Sequence, residues 1–220
     1  DKAVVIDHHR RGTEFVKDPV LTYLEPYASS ASELVTEVLS YMSEDLNLTK
    51  FEAEALLAGI TVDTKNFSYQ TGVRTFEAAS ILKRVGADTT TVRQLFRDNF
   101  NTFISKAEVI QSTRLILDRI AIGKLDKEME DSVLIAAQAA DELLDINGVE
   151  ASFVLTRVND RIHISGRSLG DISVQLILER LGGGGHLTSA GTQISGISME
   201  EAEEMLIDKI EEFLEEGEKK

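Results

Sequence analysis

The sequence predicts an α/β protein built in two parts. The first part opens on a strand and continues as a run of helices, as in a parallel sheet flanked by helices. The second runs β-α-β-β-α-β-α, the order of a smaller α/β domain with a mixed sheet. Three observations carry this reading. Ala3-Val4-Val5-Ile6 is too short and too rich in β-branched residues for a helix, so it reads as a buried strand. Helical periodicity follows capping signals at Ser30–Glu33 and Thr49–Glu52. Asn159-Asp160 joins two alternating runs as a two-residue hairpin turn.

Taken in order, residues 10 to 28 read as loop and short extended pieces, punctuated by Asp18-Pro19 and Glu25-Pro26. The first helix carries Leu34, Val35, Val38, Leu39 and Met42 and runs to about Asp45. The second passes through Ala55, Leu56, Leu57 and Ile60 to Val62-Asp63-Thr64; it is apolar around most of its girth and is expected to be buried. Thr75 to Val85 and Thr89 to Arg97 give two more helices, and Asn101 to about Leu117 a longer one. We place the domain junction there: residues 1–100, a linker helix 101–117, and 118–220. In the last part Arg119 to Leu125 is a strand, Asp131 to Leu144 a helix, Glu150 to Val158 and Arg161 to Arg167 the hairpin, and Asp171 to Leu181 a helix. A glycine-rich loop, a strand at Gly191 to Ser195 and a final helix at Met199 to Glu216 complete it.

The chain has 220 residues, enough to bury a sizeable core. A net charge of −15 argues against gripping long nucleic acid through counterion release. Much of that charge sits in Met199–Lys220, where ten acidic residues face three lysines, so a small anionic substrate is still compatible with the remainder. Cysteine is absent, which fits a cytosolic setting and leaves His, Asp and Glu as metal ligands. No apolar run is long enough to span a bilayer, so no membrane contact is expected of these residues. A first strand of the parallel type without a preceding partner suggests a fragment of a longer polypeptide.

Asp7-His8-His9 follows the first strand directly. In open α/β sheets the carboxyl ends of strands are where ligands bind. Imidazole beside carboxylate suits a divalent transition metal. A polar strand exit with two surface histidines is the plainer alternative. Asp63, at the end of an apolar helix, is a carboxylate expected to be buried and in need of a partner charge or a metal, unless it only bridges locally. Gly182-Gly183-Gly184-Gly185-His186 has more glycines than a helix end needs; such a run turns backbone N–H groups toward a phosphate, or serves as a hinge. Arg167-Ser168 ends a strand nearby, and Arg167 can pair with phosphate oxygens bidentately. Arg74 is a weaker candidate of the same kind. His163 in the hairpin reads as structural, and Lys65 and Asn66 as solvated. Together these point to metal-assisted hydrolysis of a phosphate ester in an interdomain cleft.

These motifs resemble the DHH phosphoesterases with their accompanying DHHA1 substrate-binding domain. Asp7-His8-His9 is similar to the motif that names the family, and Gly59-Ile60-Thr61-Val62-Asp63-Thr64 to its later aspartate motif. Arg167-Ser168, Gly182–His186 and Ser189-Ala190-Gly191 resemble the DHHA1 part. Val62–Phe67 and Thr71–Ala79 further resemble the GdpP (YybT-type) cyclic-di-AMP phosphodiesterases, membrane proteins with sensory domains ahead of a cytosolic module. The resemblance implies two Mn²⁺ ions per site in the intact protein and hydrolysis of cyclic-di-AMP to linear pApA. It implies His8 and Asp63 as metal ligands, Asp7 orienting His8, and His9 on the phosphate. Gly183, Gly184, Gly185 and His186, with Arg167 and Ser168, would hold the other phosphate. The family's first ligand cluster, upstream of Asp-His-His, and a further aspartate ligand have no counterpart here. The expectation is a partial DHH domain, N-terminal part missing, that is inactive or nearly so alone. The parent would be anchored in a bacterial membrane and face the cytoplasm; a homodimer is compatible. A nanoRNase/pAp phosphatase of the same superfamily and a non-catalytic nucleotide-binding module are the alternatives.

Overall fold

The computed structural model describes residues 2–9, 15–42, 47–129 and 131–218, divided into two units between Arg97 and Asp98. The predicted loop at 10–14 and the last turn of the first helix, to about Asp45, lie outside the described residues.

In the first unit, β1 (Val4–Asp7) pairs in parallel with β2 (Leu21–Leu24), with Asp7 opposite Leu24. β2 falls in the stretch 10 to 28 that the sequence reads as loop and short extended pieces, without placing a strand in it. The strand expected to be buried is only half-buried: β2 is its one neighbour among the described residues, and Val4 is exposed. Four helices come next: α1 (Ala31–Met42), α2 (Lys50–Asp63), α3 (Val73–Val85) and α4 (Thr89–Leu95). Thr49 caps α2 with the reciprocal bonds its sequence predicts, Oγ1 accepting from Glu52 N and Glu52 Oε2 from Thr49 N. The predicted box at Ser30 is half-formed. Ser30 Oγ accepts from Glu33 N, but the buried Glu33 carboxylate accepts from Ser29 Oγ (2.5 Å) and Thr75 Oγ1 (2.6 Å), tying α1 to α3. α2 is not buried all round as expected. Ala53, Leu57 and Ile60 join Ala78, Leu82 and Val92 in a core, while Phe51 and Val62 are exposed. Gly59 lets α2 lie against α1, since a Cβ there would come within 2.1 Å of Ser32 Oγ.

The second unit is a six-stranded mixed sheet, ordered β3-β4-β5-β6-β8-β7, between two helical layers. Its elements are α5 (Phe100–Ser112), β3 (Arg114–Ile116), β4 (Ile120–Leu125), α6 (Ser132–Leu143), β5 (Ala151–Val158), β6 (Arg161–Ser168), α7 (Val174–Glu179), β7 (Gly184–His186), β8 (Ser189–Ser195) and α8 (Met199–Glu218). β4 and β5 run parallel through the α6 crossover; the other pairs are antiparallel. Phe153, Leu155, Ile162 and Ile164 face α7 and α8, while Ala121, Leu125 and Val154 face α5 and α6. The helix predicted as a linker at 101–117 ends at Ser112 and belongs to this unit, because Lys106 on it pairs with Asp98 and with Glu142 of α6. β3 and β7 are strands that the sequence pattern does not predict.

Candidate functional site

Two groups of candidate residues occur, one in each unit. In the first, β1 delivers His8 and α2 ends on Asp63, and the two meet: His8 Nε2 is 3.6 Å from Asp63 Oδ2. Two donors each about 2.1 Å from one cation sit roughly 3 to 3.6 Å apart, so this pair fits one divalent ion. Asp63, expected to be buried, is not; its side chain is 38% exposed, against 15% for His8. The cause lies just beyond it. Lys65, Asn66 and Phe67 all take left-handed backbone angles (φ 46°, 57° and 64°), which non-glycine residues adopt only under constraint. Thr64 supplies the constraint: it is buried, its carbonyl accepts from Ser68 N and Tyr69 N, and its Oγ1 accepts from Phe67 N. The chain turns back at once, Phe67 stacks on Phe76, and Asp63 is left at an open helix end.

Asp7 turns its carboxylate to His9 and not to the His8 ring. Its Oδ1 accepts from His9 N (3.0 Å) and faces His9 Nδ1 at 2.7 Å. The strand ends at Asp7, the chain bends at His9, and the His8 and His9 rings lie side by side, 4.3 Å between centroids and tilted by 57°. The expected role of Asp7 toward His8 is thus replaced by a bond to His9. A carboxylate only accepts, so His9 Nδ1 carries the proton and Nε2 is left for another partner. The backbone N–H of His9, then its ring, hold the Asp7 carboxyl below its usual pKa. Arg74 is already engaged: its Nε and Nη2 bind both oxygens of Glu37 at 2.6 and 2.5 Å. Among the described residues no group of three or more His, Asp or Glu is placed to hold a metal.

In the second unit, the register sets Arg167 of β6, Ser189 of β8 and His186 of β7 in one cross-strand row. Arg167 is held from behind: Asp141 Oδ2 on α6 accepts from its Nε at 3.2 Å, and Gly166 O from its Nη1 at 2.9 Å. Arg167 is partly buried, and His186, two strands along the same row, is exposed. Ser168, next along, falls on the opposite sheet face with a buried hydroxyl that has no partner among the described residues. The glycines divide their work. A Cβ on Gly183 would lie 2.3 Å from Gly191 O, and on Gly185 2.5 Å from Ser189 O, so both serve the close approach of β7 to β8. Gly184 faces open space and is where a ligand can meet bare backbone. Asp141 carries no local motif that would mark it in the sequence, since it stands 26 residues from Arg167.

Comparison with known proteins falls along the same division. The family model described as "DHH family, N-terminal domain" matches residues 1–60, and that described as "DHHA1 domain" matches residues 118–216. The chain belongs to the DHH/DHHA1 family. A Bacillus subtilis (strain 168) protein named cyclic-di-AMP phosphodiesterase GdpP is 54% identical over 218 residues, covering 97% of this chain and 33% of its own length. A Listeria monocytogenes protein named cyclic-di-AMP phosphodiesterase PdeA is 50% identical over 211 residues, covering 96% and 32%. The chain therefore spans about a third of the length of these relatives. Among solved structures, an exopolyphosphatase-related protein from Bacteroides fragilis matches with a TM-score of 0.84 and 25% identity, over 96% of this chain and 64% of that one. Among the described residues no helix is long and apolar enough to cross a membrane.

Proposed function

We propose that this DHH/DHHA1 module hydrolyses a phosphodiester of a cyclic dinucleotide, cyclic-di-AMP, to linear pApA. The observation that carries the reading is the meeting of His8 Nε2 with Asp63 Oδ2, two metal-type ligands from separate elements at a strand's carboxyl end. Identity of 54% to a protein named for that reaction supports the substrate. His8 and Asp63 would hold a divalent ion, for which Mn²⁺ is the proposal. When bound, a pair of such ions supplies positive charge that favours hydroxide over water and neutralises the phosphate.

The chain's own residues do the rest. His9, its Nδ1 proton held by Asp7, would donate to a phosphate oxygen when Nε2 is protonated as well. Arg167 and His186 bind a second phosphate, with Gly184 admitting it to the backbone. Two protein donors leave a cation mostly to water, so the 220-residue chain alone is expected to bind Mn²⁺ weakly and to turn over slowly. We also assign the module to the cytoplasmic face of a membrane-anchored parent.

The test is conversion of cyclic-di-AMP to pApA, followed by anion-exchange chromatography, in a protein that carries this chain at the length of its relatives. Manganese-dependent product lost in His8→Ala and Asp63→Asn supports the reading. Full activity in either variant, or in excess chelator, overturns it. Binding of cyclic-di-AMP without metal and without turnover would favour a non-catalytic nucleotide-binding module instead.

A further inference from the structure

Behind the Arg167–Ser189–His186 row, the same sheet face carries two more rows. Ser165, Gly191 and Gly184 form the second, and His163 and Gln193 the third. α6 lies over β5 and β6 on this face, while Gly191 and Gln193 of β8 are exposed beyond it. The rows differ in chemistry. The first holds two groups able to carry positive charge, the second nothing larger than a hydroxymethyl, the third an imidazole and an amide. A recess of about 340 Å³ lies over the second and third rows, lined by His163, Ser165, Gly183, Gly191 and Gln193, with Val133 of α6 as its apolar wall.

Its polar groups are unspent. Ser165 is 7% exposed, and its hydroxyl has no hydrogen-bond partner among the described residues. The half-buried His163 ring likewise bonds to no described residue, and it lines the recess. Gln193 Oε1 accepts from Arg161 Nη1 at 3.3 Å, which leaves the two amide N–H donors unpaired among the described residues.

We infer that this recess receives the nucleobase, an adenine, of the nucleotide whose phosphate the Arg167–His186 row binds. The inference rests on the proposed phosphate site and extends it. His163 and Arg167 are four residues apart on one strand, about 14 Å at the rise of an extended chain. A nucleoside monophosphate, from phosphate to the far edge of its base, fits that span. The second row then floors the ribose, where Ser165 is the hydroxyl within reach and glycine leaves room. Adenine offers a donor at N6 and acceptors at N7 and N1, which an amide matches in two-point fashion and an imidazole complements. The volume lies in the range of small-ligand sites.

Titration calorimetry on the 220-residue chain, with AMP against ribose 5-phosphate, tests this. AMP should bind at least tenfold tighter, and Gln193→Ala and His163→Gln should each bring AMP toward the affinity of ribose 5-phosphate. Gln193 is exposed, so its variant folds even if a change at His163 does not. If both ligands bind through Arg167 with equal affinity, the base subsite is overturned while the phosphate site stands. The base subsite is equally overturned if AMP keeps its advantage in both variants. If neither ligand binds, the phosphate reading fails and the base subsite falls with it.

Discussion

The two units place their candidate residues by opposite means. In the second, a sheet closed by helices on both faces sets Arg167, Ser189 and His186 by strand register, and the glycines are shaped to let β7 lie against β8. In the first, β1 has one strand neighbour among the described residues, and local bonds across His8 and just after Asp63 set the chain there. These are the Asp7–His9 bond and the left-handed turn after Thr64. Under the proposed function, the first unit works through ligand chemistry at an open edge. The second, under the same proposal, works through backbone shape. Substitutions should separate the two.

The largest effect falls on activity in the first unit. Asp63→Asn is nearly isosteric at a partly exposed position, so thermal stability should hold within about 0.5 kcal/mol. Turnover should fall by more than about 100-fold, beyond what losing a hydrogen-bond partner of a metal ligand costs. A stability loss as large as the activity loss would erase the contrast between the units.

The second unit should give the reverse. Gly183→Ala drives a Cβ to 2.3 Å from Gly191 O and 2.5 Å from Thr192 Cβ, both in β8. Overpacking of this kind costs about 1–3 kcal/mol, read as a lower urea midpoint. Gly184→Ala meets nothing within 4 Å and should keep its midpoint while weakening phosphate binding. Equal midpoints for the two variants would show that the strand approach is looser than the geometry states.

Lys106→Met probes where the second unit begins. Lys106 is 8% exposed and neutralises Asp98 and Glu142. Removing one member of a buried ion pair costs several kcal/mol, but Glu142 is 42% exposed, so solvent should reduce the loss to about 1–2 kcal/mol. Proteolysis that freed residues 98–112 from wild-type protein without unfolding the sheet would return α5 to the linker role that its sequence suggests.

Legibility in the sequence obeys the same physics. Local signals are readable: the Thr49–Glu52 box, the Asn159-Asp160 turn and the strand-end Asp7-His8-His9 all act over two to four residues. β7 is not, because glycines carry no side-chain pattern and this strand exists only through its pairing with β8. Burial of Asp63 is a false expectation, since helix periodicity says nothing of the turn beyond the helix end. The recess is hidden because its residues stand about thirty positions apart on β6 and β8. His163 reads as merely structural for the same reason, as cross-strand neighbours leave no motif.

One device is shared by both units and should give the smallest, matched effects. Glu52 closes the Thr49 box of α2, and Glu201 closes a box with Ser198 at the start of α8. Each carboxylate accepts from the backbone N–H of its capping residue, at 2.7 Å in both cases, and that bond first, then the hydroxyl, lowers its pKa below the usual 4.5. A carboxylate whose pKa is lower folded than unfolded stabilises the fold above its unfolded pKa, and the contribution fades as pH falls through the folded value. Glu52→Gln and Glu201→Gln should therefore each lower the melting temperature slightly at pH 7. The gap to wild type should narrow below about pH 4.5. Differential scanning calorimetry from pH 3 to 7 reads both. A gap that stays constant down to pH 3 would mean that the charge contributes nothing, and a gap in one variant alone would mean that the two boxes are not the equivalent caps their geometry makes them.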